Sequence, residues 1–221
     1  MYASISADIV SSTSLPVQSL IELNEHIKNL LKMLDKRYNG FWGRIVRGDT
    51  IECILEQPEY AFEIAIILKS WIKSFKPSEC GDYSRFSKYG LRLAIGLGEM
   101  NIVNRDLDMM DGDAIYRSGR SLDKLTGRAK YSMTLSMSQK QLEEPLNIIL
   151  SLINQLINNA TSRRCQTLCE RLLSPSTNEA AERMGITVSG MNQTLNELGW
   201  GNIEQAIIYY RKIISNLNYV I

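Results

Sequence analysis

Three stretches of the chain alternate small polar with apolar residues, and this alternation restricts the fold more than any other feature. In residues 2–10 (YASISADIV) one side carries Ala3, Ile5, Ala7 and Ile9, and the other Tyr2, Ser4, Ser6 and Asp8. In 91–98 (LRLAIGLG), Leu91, Leu93, Ile95 and Leu97 alternate with Arg92, Ala94 and Gly96. In 131–137 (YSMTLSM), Ser132, Thr134 and Ser136 form the polar side. A period of two is that of a β-strand. The pattern predicts a sheet with one helix-covered apolar face and one open face of small polar side chains. Such an open face suits a ligand cleft, a self-association surface or plain solvent.

Helical spacing fills the intervals. Residues 17–37 place Leu20, Leu23, Ile27, Leu30, Leu31 and Leu34 on one stripe. FWGRIVRGDTIECIL predicts two short strands around a Gly48-Asp49 turn. A helix over 59–75 opens after Pro58, 76–89 is a polar loop, and 99–111 is an acidic, Met-containing loop. Helix 113–125 presents Ile115, Ser118, Leu122 and Leu125 to a core. The order β-α-β-β-α-β-α-β contains the ferredoxin-like βαββαβ unit plus one helix–strand unit. The fold class is therefore α+β, with an all-helical C-terminal part. The expected units are a sheet domain over 1–140, a linker helix over 141–160, and a helix-turn-helix domain over 161–221.

Composition narrows the chemistry. The single histidine, His26, excludes multi-histidine metal sites and leaves carboxylates, cations and hydroxyls. It sits among Asn24, Glu25 and Lys28, which predicts solvent exposure. The four cysteines form no C-x-x-C pair and read as buried thiols of a cytoplasmic protein. No apolar run approaches the length needed to cross a membrane. With 25 Lys+Arg against 24 Asp+Glu, the net charge is +1, so bulk charge does not indicate a nucleic-acid binder.

Asp8 ends the first strand, and Asp49 lies in the hairpin turn. In a βαββ unit these strands are commonly neighbours, so the carboxylates can meet at one sheet edge. Two carboxylates, a backbone carbonyl at Ile9 and waters make the hard-oxygen site that Mg²⁺ uses with nucleotide phosphates. Arg120 offers a planar fork for phosphate oxygens, with Tyr116 one turn earlier on the same helix face. Each aspartate alone also fits a strand end or tight turn.

The segments SADIVSST, RGDTIEC, LRLAIGLGE and DGDAIYRSGRSLD, in this order, resemble the four signature segments of class III adenylyl and guanylyl cyclases. That resemblance implies a palm-type domain working as a dimer with shared sites, and two metal ions held by Asp8 and Asp49. It implies transition-state stabilisation from a helix beginning at Gly112, with Tyr116 where the family has asparagine and Arg120 at the arginine position. Arg47 and Gly48 in the hairpin, and Asp111 and Gly112 before the helix, become candidates for binding a nucleoside triphosphate. Two departures count against standard cyclisation. Tyr116 replaces the asparagine, and Ile45, flanked by Arg44 and Arg47, replaces the base-reading lysine. The second base-reading position falls among Asp108, Met109 and Asp111.

SPSTNEAAERMGITVSGMNQTLNELGW has helix-turn-helix spacing. Thr177 caps the first helix, Gly185 makes the turn, and Met191 and Leu195 anchor the second helix. Thr187, Ser189, Asn192 and Gln193 are the candidate DNA contacts, since Asn and Gln can read adenine bidentately. Residues 161–221 carry six Lys/Arg and five acids, a net of +1, so DNA affinity has to lean on a dimer; protein docking is the competing role. Together the two parts resemble the SatD-like family of bacterial proteins. The readings left open are a regulator with a degenerate metal–nucleotide site, an active Mg²⁺-dependent nucleotidyl cyclase or transferase, and a dimeric scaffold without ligand.

Overall fold

The computed structural model describes residues 1–46, 48–79, 83–125 and 132–218. The candidate Arg47 and the cysteine Cys80 lie outside the described residues. The elements are β1 (Tyr2–Ile9), α1 (Val17–Arg37), β2 (Phe41–Val46), β3 (Thr50–Leu55), α2 (Ala61–Ser74), α3 (Ser84–Tyr89), β4 (Leu91–Gly98), β5 (Met100–Asn104), β6 (Met109–Gly112), α4 (Asp113–Leu125) and β7 (Met133–Ser136). Five helices follow: α5 (Lys140–Asn159), α6 (Ser162–Leu173), α7 (Thr177–Arg183), α8 (Val188–Leu198) and α9 (Trp200–Asn218).

The main sheet has the order β2-β3-β1-β4-β7. Each of its first four strands runs antiparallel to its neighbours among them, and β7 joins β4 in parallel. The chain is thus α+β with an antiparallel-dominated sheet, as its alternation predicted. Two expected loops contain structure. Residues within 76–89 form the one-and-a-half-turn helix α3, anchored by buried Phe86. Residues within 99–111 form the two-stranded β5–β6 ribbon.

The second face of the sheet is not open, which corrects the expectation of a single helix-covered face. α4 lies across β4 and β1 there. Its Ser118 hydroxyl donates to Ser4 Oγ at 3.0 Å and lies 2.8 Å from Ser6 Oγ. Ser4, Ser6 and Ser118 are all buried. The small side chains are what permits this: a Cβ on Gly96 would come within 2.1 Å of the Ala114 carbonyl oxygen. The polar strip is a helix seat whose hydroxyls satisfy one another.

On the first face, α1 and α2 cover the apolar side. α2 is apolar almost all round, and twelve of its fourteen residues are buried. A helix of that kind has to be covered on every side. The sheet supplies one cover, and the C-terminal helices supply the other. Tyr210 of α9 stacks on Phe62 at 5.0 Å and donates to the Pro58 carbonyl at 3.0 Å. Cys169 of α6 lies against the Ile67 carbonyl at 3.6 Å. One apolar core therefore runs from the sheet through α2 into α5, α6 and α9, crossing the boundaries expected at 140 and 160. α7 and α8 add a small cluster of their own around Ala180, Ala181, Met191 and Leu195.

His26 departs from expectation. Its ring stacks on Trp71 of α2 at 4.5 Å, and Nε2 lies 3.2 Å from the Trp71 carbonyl. Burial pushes its pKa below the usual imidazole range, so it is a neutral packing residue near neutral pH. Cys53, Cys165 and Cys169 are buried free thiols. Burial raises the pKa of all three, that of Cys165 to about 11, which keeps them protonated and unreactive.

Candidate functional site

The end of β1 carries the first candidate group. Asp8 sits in register with Thr50 on β3 and Arg92 on β4. Arg92 Nε donates to Asp8 Oδ1 at 2.9 Å, and a terminal nitrogen donates to Oδ2 at 2.6 Å. This is a fork-to-fork pair, the strongest geometry open to a carboxylate among side chains. Both partners are largely withdrawn from water, with side-chain exposures of 26% and 19%. The alternation already put Asp8 and Arg92 on the same polar side of adjacent strands. Their pairing follows once the register is known.

Asp49 belongs to the β2–β3 turn beside Gly48, whose φ of 83° is left-handed and suits glycine. The buried Ser12 hydroxyl donates to Asp49 Oδ2 at 2.9 Å. The Ile9 N–H donates to the Asp49 carbonyl at 3.1 Å, tying the turn to the end of β1. The two aspartates thus share one end of the sheet. The Ile9 side chain is in the core, so its backbone alone is available for chemistry. Among the described residues, no three His, Cys, Asp or Glu side chains gather as metal ligands would. The oxygens of Asp8, Asp49 and Ile9 have the hard character Mg²⁺ takes, but Arg92 already engages the Asp8 carboxylate at both oxygens.

The second group lies on β6 and α4. Tyr116 is exposed, and its hydroxyl donates to Asp111 Oδ1 at 2.6 Å. Asn101 donates to the other oxygen of Asp111 at 3.1 Å. The Tyr116 hydrogen bond, then that of Asn101, lowers the Asp111 pKa, and the same bond raises that of Tyr116. The Arg120 guanidinium lies 5.8 Å from the centre of the Tyr116 ring and is exposed. Gly112 ends β6 immediately before α4 with φ 154°, and a Cβ there would meet the Glu99 carbonyl at 2.6 Å. The N-terminus of α4 abuts Gly98, which pairs with Tyr2 at the end of β1 remote from Asp8. Among the described residues, no hydrogen bond or ion pair joins this group to Asp8 or Asp49.

The third group is α8. Ser189, Asn192 and Gln193 are exposed, while Met191, Leu195 and Leu198 are buried behind them. Thr187 is the N-cap of α8: its hydroxyl accepts from the Gly190 N–H at 3.1 Å. That use competes with the base contact expected of it. Gln193 donates to Glu197 at 3.3 Å, and Glu197 also pairs with Arg164, so this face carries a carboxylate among its amides. The cap of α7 is Ser176, one residue before the expected Thr177. Gly185 turns the chain with φ 62°. No described helix is long and apolar enough to cross a membrane.

Neither a family model nor a curated protein matches the chain. Among solved structures it is similar to a bacterial light-regulated adenylyl cyclase, with 17% sequence identity and a TM-score of 0.43, over 65% of this chain and 79% of that one.

Proposed function

We propose that this chain is a regulator in which a cyclase-like sheet domain binds a nucleotide with Mg²⁺ and a C-terminal helix-turn-helix reads DNA. The meeting of Asp8 and Asp49 at one sheet end, through the Ile9–Asp49 backbone bond, carries the nucleotide half. In this reading Asp8, Asp49 and the Ile9 carbonyl hold the ion, which neutralises phosphate charge when bound. Arg92 is the standing counter-charge of Asp8, and an ion held there would share that carboxylate with it. Tyr116, Arg120, Asp111, Gly112, Gly48 and Arg47 approach the phosphates and base. Tyr116 and Arg120 are grouped apart from the aspartates, so one copy completes the site of another and the working form is a homodimer. The helix over 143–159 then transmits nucleotide occupancy to α8, where Ser189, Asn192 and Gln193 meet the major groove. The setting is a bacterial cytoplasm, where buried thiols stay reduced, and the two-part arrangement is that of the SatD-like proteins.

The fork on Asp8 favours a second reading, a scaffold without ligand, because it already satisfies the carboxylate a metal requires. Thermal melts separate the two. Mg²⁺ with one of the four nucleoside triphosphates should stabilise the chain by about 2.7 kcal/mol at a hundred times Kd. For a chain of this length that is a rise of roughly 5–10 °C. Asp49→Asn should abolish the rise. No rise with any triphosphate decides for the scaffold, and product analysis after incubation decides whether the bound nucleotide turns over.

The DNA half has its own measurement. Selection from random duplexes at low salt should yield a sequence bound more than tenfold tighter than bulk DNA. Replacing Asn192 and Gln193 together by alanine should remove that preference, since each bidentate contact is worth about 1–3 kcal/mol. Preference retained in the double variant sinks α8 as the reading helix.

A further inference from the structure

The two edges of the main sheet are treated in opposite ways. β7 is sealed. Asn147 of α5 accepts the Leu135 N–H and donates to the Leu135 carbonyl, both at 2.8 Å, and Glu143 accepts the Met137 N–H at 2.7 Å. Those are the bonds that an added strand would make, so β7 cannot be extended. At β2 the equivalent protection stops after one residue. The Phe41 N–H donates to the Tyr38 carbonyl at 3.1 Å, and the Phe41 carbonyl accepts from Arg105 at 2.5 Å. The Phe41 groups therefore point away from β3, and alternation turns those of Gly43 and Ile45 the same way. Among the described residues, β3 is the one sheet neighbour of β2, and no side chain bonds these outward groups.

This strip borders a cleft of about 320 Å³ between β2 and α1. Leu31 lies on the helix side, Lys28 and Lys32 stand along it, and Arg105 lies at the Phe41 end. Four cations line the cleft (Lys28, Lys32, Arg44, Arg105) against one carboxylate, Asp35. Arg44 is spent on Glu52 and Asp108, Arg105 on Asp35, and Lys28 leans on exposed Glu25. Lys32 has no ion pair among the described residues.

We propose that the β2 edge is a docking strand for an extended acidic segment of a partner protein. The segment adds to the sheet through the N–H and C=O groups of Gly43 and Ile45, and its acidic side chains on the α1 side meet Lys28 and Lys32. Main-chain bonds supply affinity in this mode, and alternate side chains supply specificity. A second copy of this chain is the wrong occupant. Pairing β2 with β2 about a twofold axis sets lysine against lysine along the same wall, and facing like charges are destabilising.

The test is a selection of random ten-residue peptides against the full chain, followed by affinity measurements on individual peptides. The expected winners alternate Asp or Glu with Val, Ile or Thr. Ile45→Pro removes an outward donor and no bond to β3, so it should bind the winners at least tenfold more weakly while melting cooperatively. Lys28→Glu with Lys32→Glu changes two exposed side chains, leaves the fold alone, and should shift the selection toward Lys- and Arg-rich peptides. That second variant decides the matter if Ile45→Pro fails to fold. No enriched peptide, winners without acidic residues, or winners indifferent to both variants would overturn the proposal. So would a concentration-dependent dimer that Ile45→Pro dissolves, because the edge would then belong to a second copy.

Discussion

Gly96→Ala is expected to destabilise the fold by about 3 kcal/mol or more, at the top of the usual range for overpacking. The reason is geometric. A Cβ at this position would stand 2.1 Å from the Ala114 carbonyl oxygen and 2.5 Å from the Ser118 amide nitrogen. Both are backbone atoms of α4, so no rotamer change can relieve the contact. α4 would have to lift from the sheet, and the Ser118 contacts to Ser4 and Ser6 would break with it. Ser118 keeps its bond to the Ile115 carbonyl, but the two buried hydroxyls of Ser4 and Ser6 would then lack this partner, each at about 1–3 kcal/mol. For a chain of this size the alanine variant should melt roughly 6–12 °C lower. Gly96→Val should not accumulate as folded protein. Gly119, on the same helix, is the matched control: a Cβ there meets nothing within 4 Å. Gly119→Ala should raise stability by about 0.5–1 kcal/mol through helix propensity. Equal, small effects at the two glycines would mean that α4 does not sit on β4 as described.

That seat also marks where sequence reading reaches its limit. Alternation in 2–10 and 91–98 determines which side of each strand is buried, and the β1–β4 register agrees with it residue for residue. α1 was legible because its leucines and isoleucines keep helical spacing for 21 residues. The polar strip was legible as a face but not as a seat. Ala94, Gly96 and the serines are small whether they line a cleft or admit a helix, and only the path of α4 decides. The β5–β6 ribbon escaped because a two-stranded ribbon with exposed Asn101, Ile102 and Met109 buries too little to impose alternation. α3 escaped because six residues with one buried side chain show no period.

At the candidate site, individual residues were more legible than their partners. Asp8 and Asp49 meet at one sheet end because strand pairing brings them there, and that was foreseeable from a βαββ order. The Arg92 fork was not, since it depends on β1–β4 register rather than on spacing within either strand. His26 looked exposed from its polar neighbours on α1, yet Trp71 arrives from α2, a partner that no local pattern reveals. The lysines of α2 carried a signal that could have been used. AFEIAIILKSWIKS has no polar face on which Lys69 and Lys73 could reach water, so both had to find acceptors inside.

Lys69→Met is expected to reveal the second large contribution, through the pH dependence of stability. Lys69 is fully buried, and its ammonium nitrogen donates to the Tyr89 and Leu91 carbonyls, both at 2.9 Å, and to Ser132 Oγ at 2.7 Å. Ser132 passes the chain on to Asn154 at 2.7 Å. The Lys69 side chain therefore ties together the end of α3, the start of β4, the approach to β7, and α5. Burial, and then the neighbouring charge of Lys73, push its pKa down from 10.5 to about 7. Lys73 is itself buried and donates to the Asn158 and Ala160 carbonyls at the end of α5. Between pH 7 and 10.5 the unfolded chain keeps the Lys69 proton and the folded chain releases it, so the Lys69 contribution to stability rises with pH across that window. The three buried thiols oppose this as unfolded cysteines ionise around their ordinary pKa of about 8.5, an effect that begins about one pH unit lower. Denaturant titrations from pH 7 to about 8.5 should therefore show wild-type stability, measured relative to Lys69→Met so that the thiols cancel, climbing by about 1 kcal/mol per pH unit. Methionine keeps the volume but removes the two N–H groups that the neutral amine still donates, and the variant should lose about 2–3 kcal/mol at the upper end of the window. Its curve should lack the Lys69 rise and keep only what the thiols and Lys73 contribute, so the gap between the two proteins widens as pH rises. Parallel curves would assign any slope to other groups and show that the three acceptors hold Lys69 charged throughout.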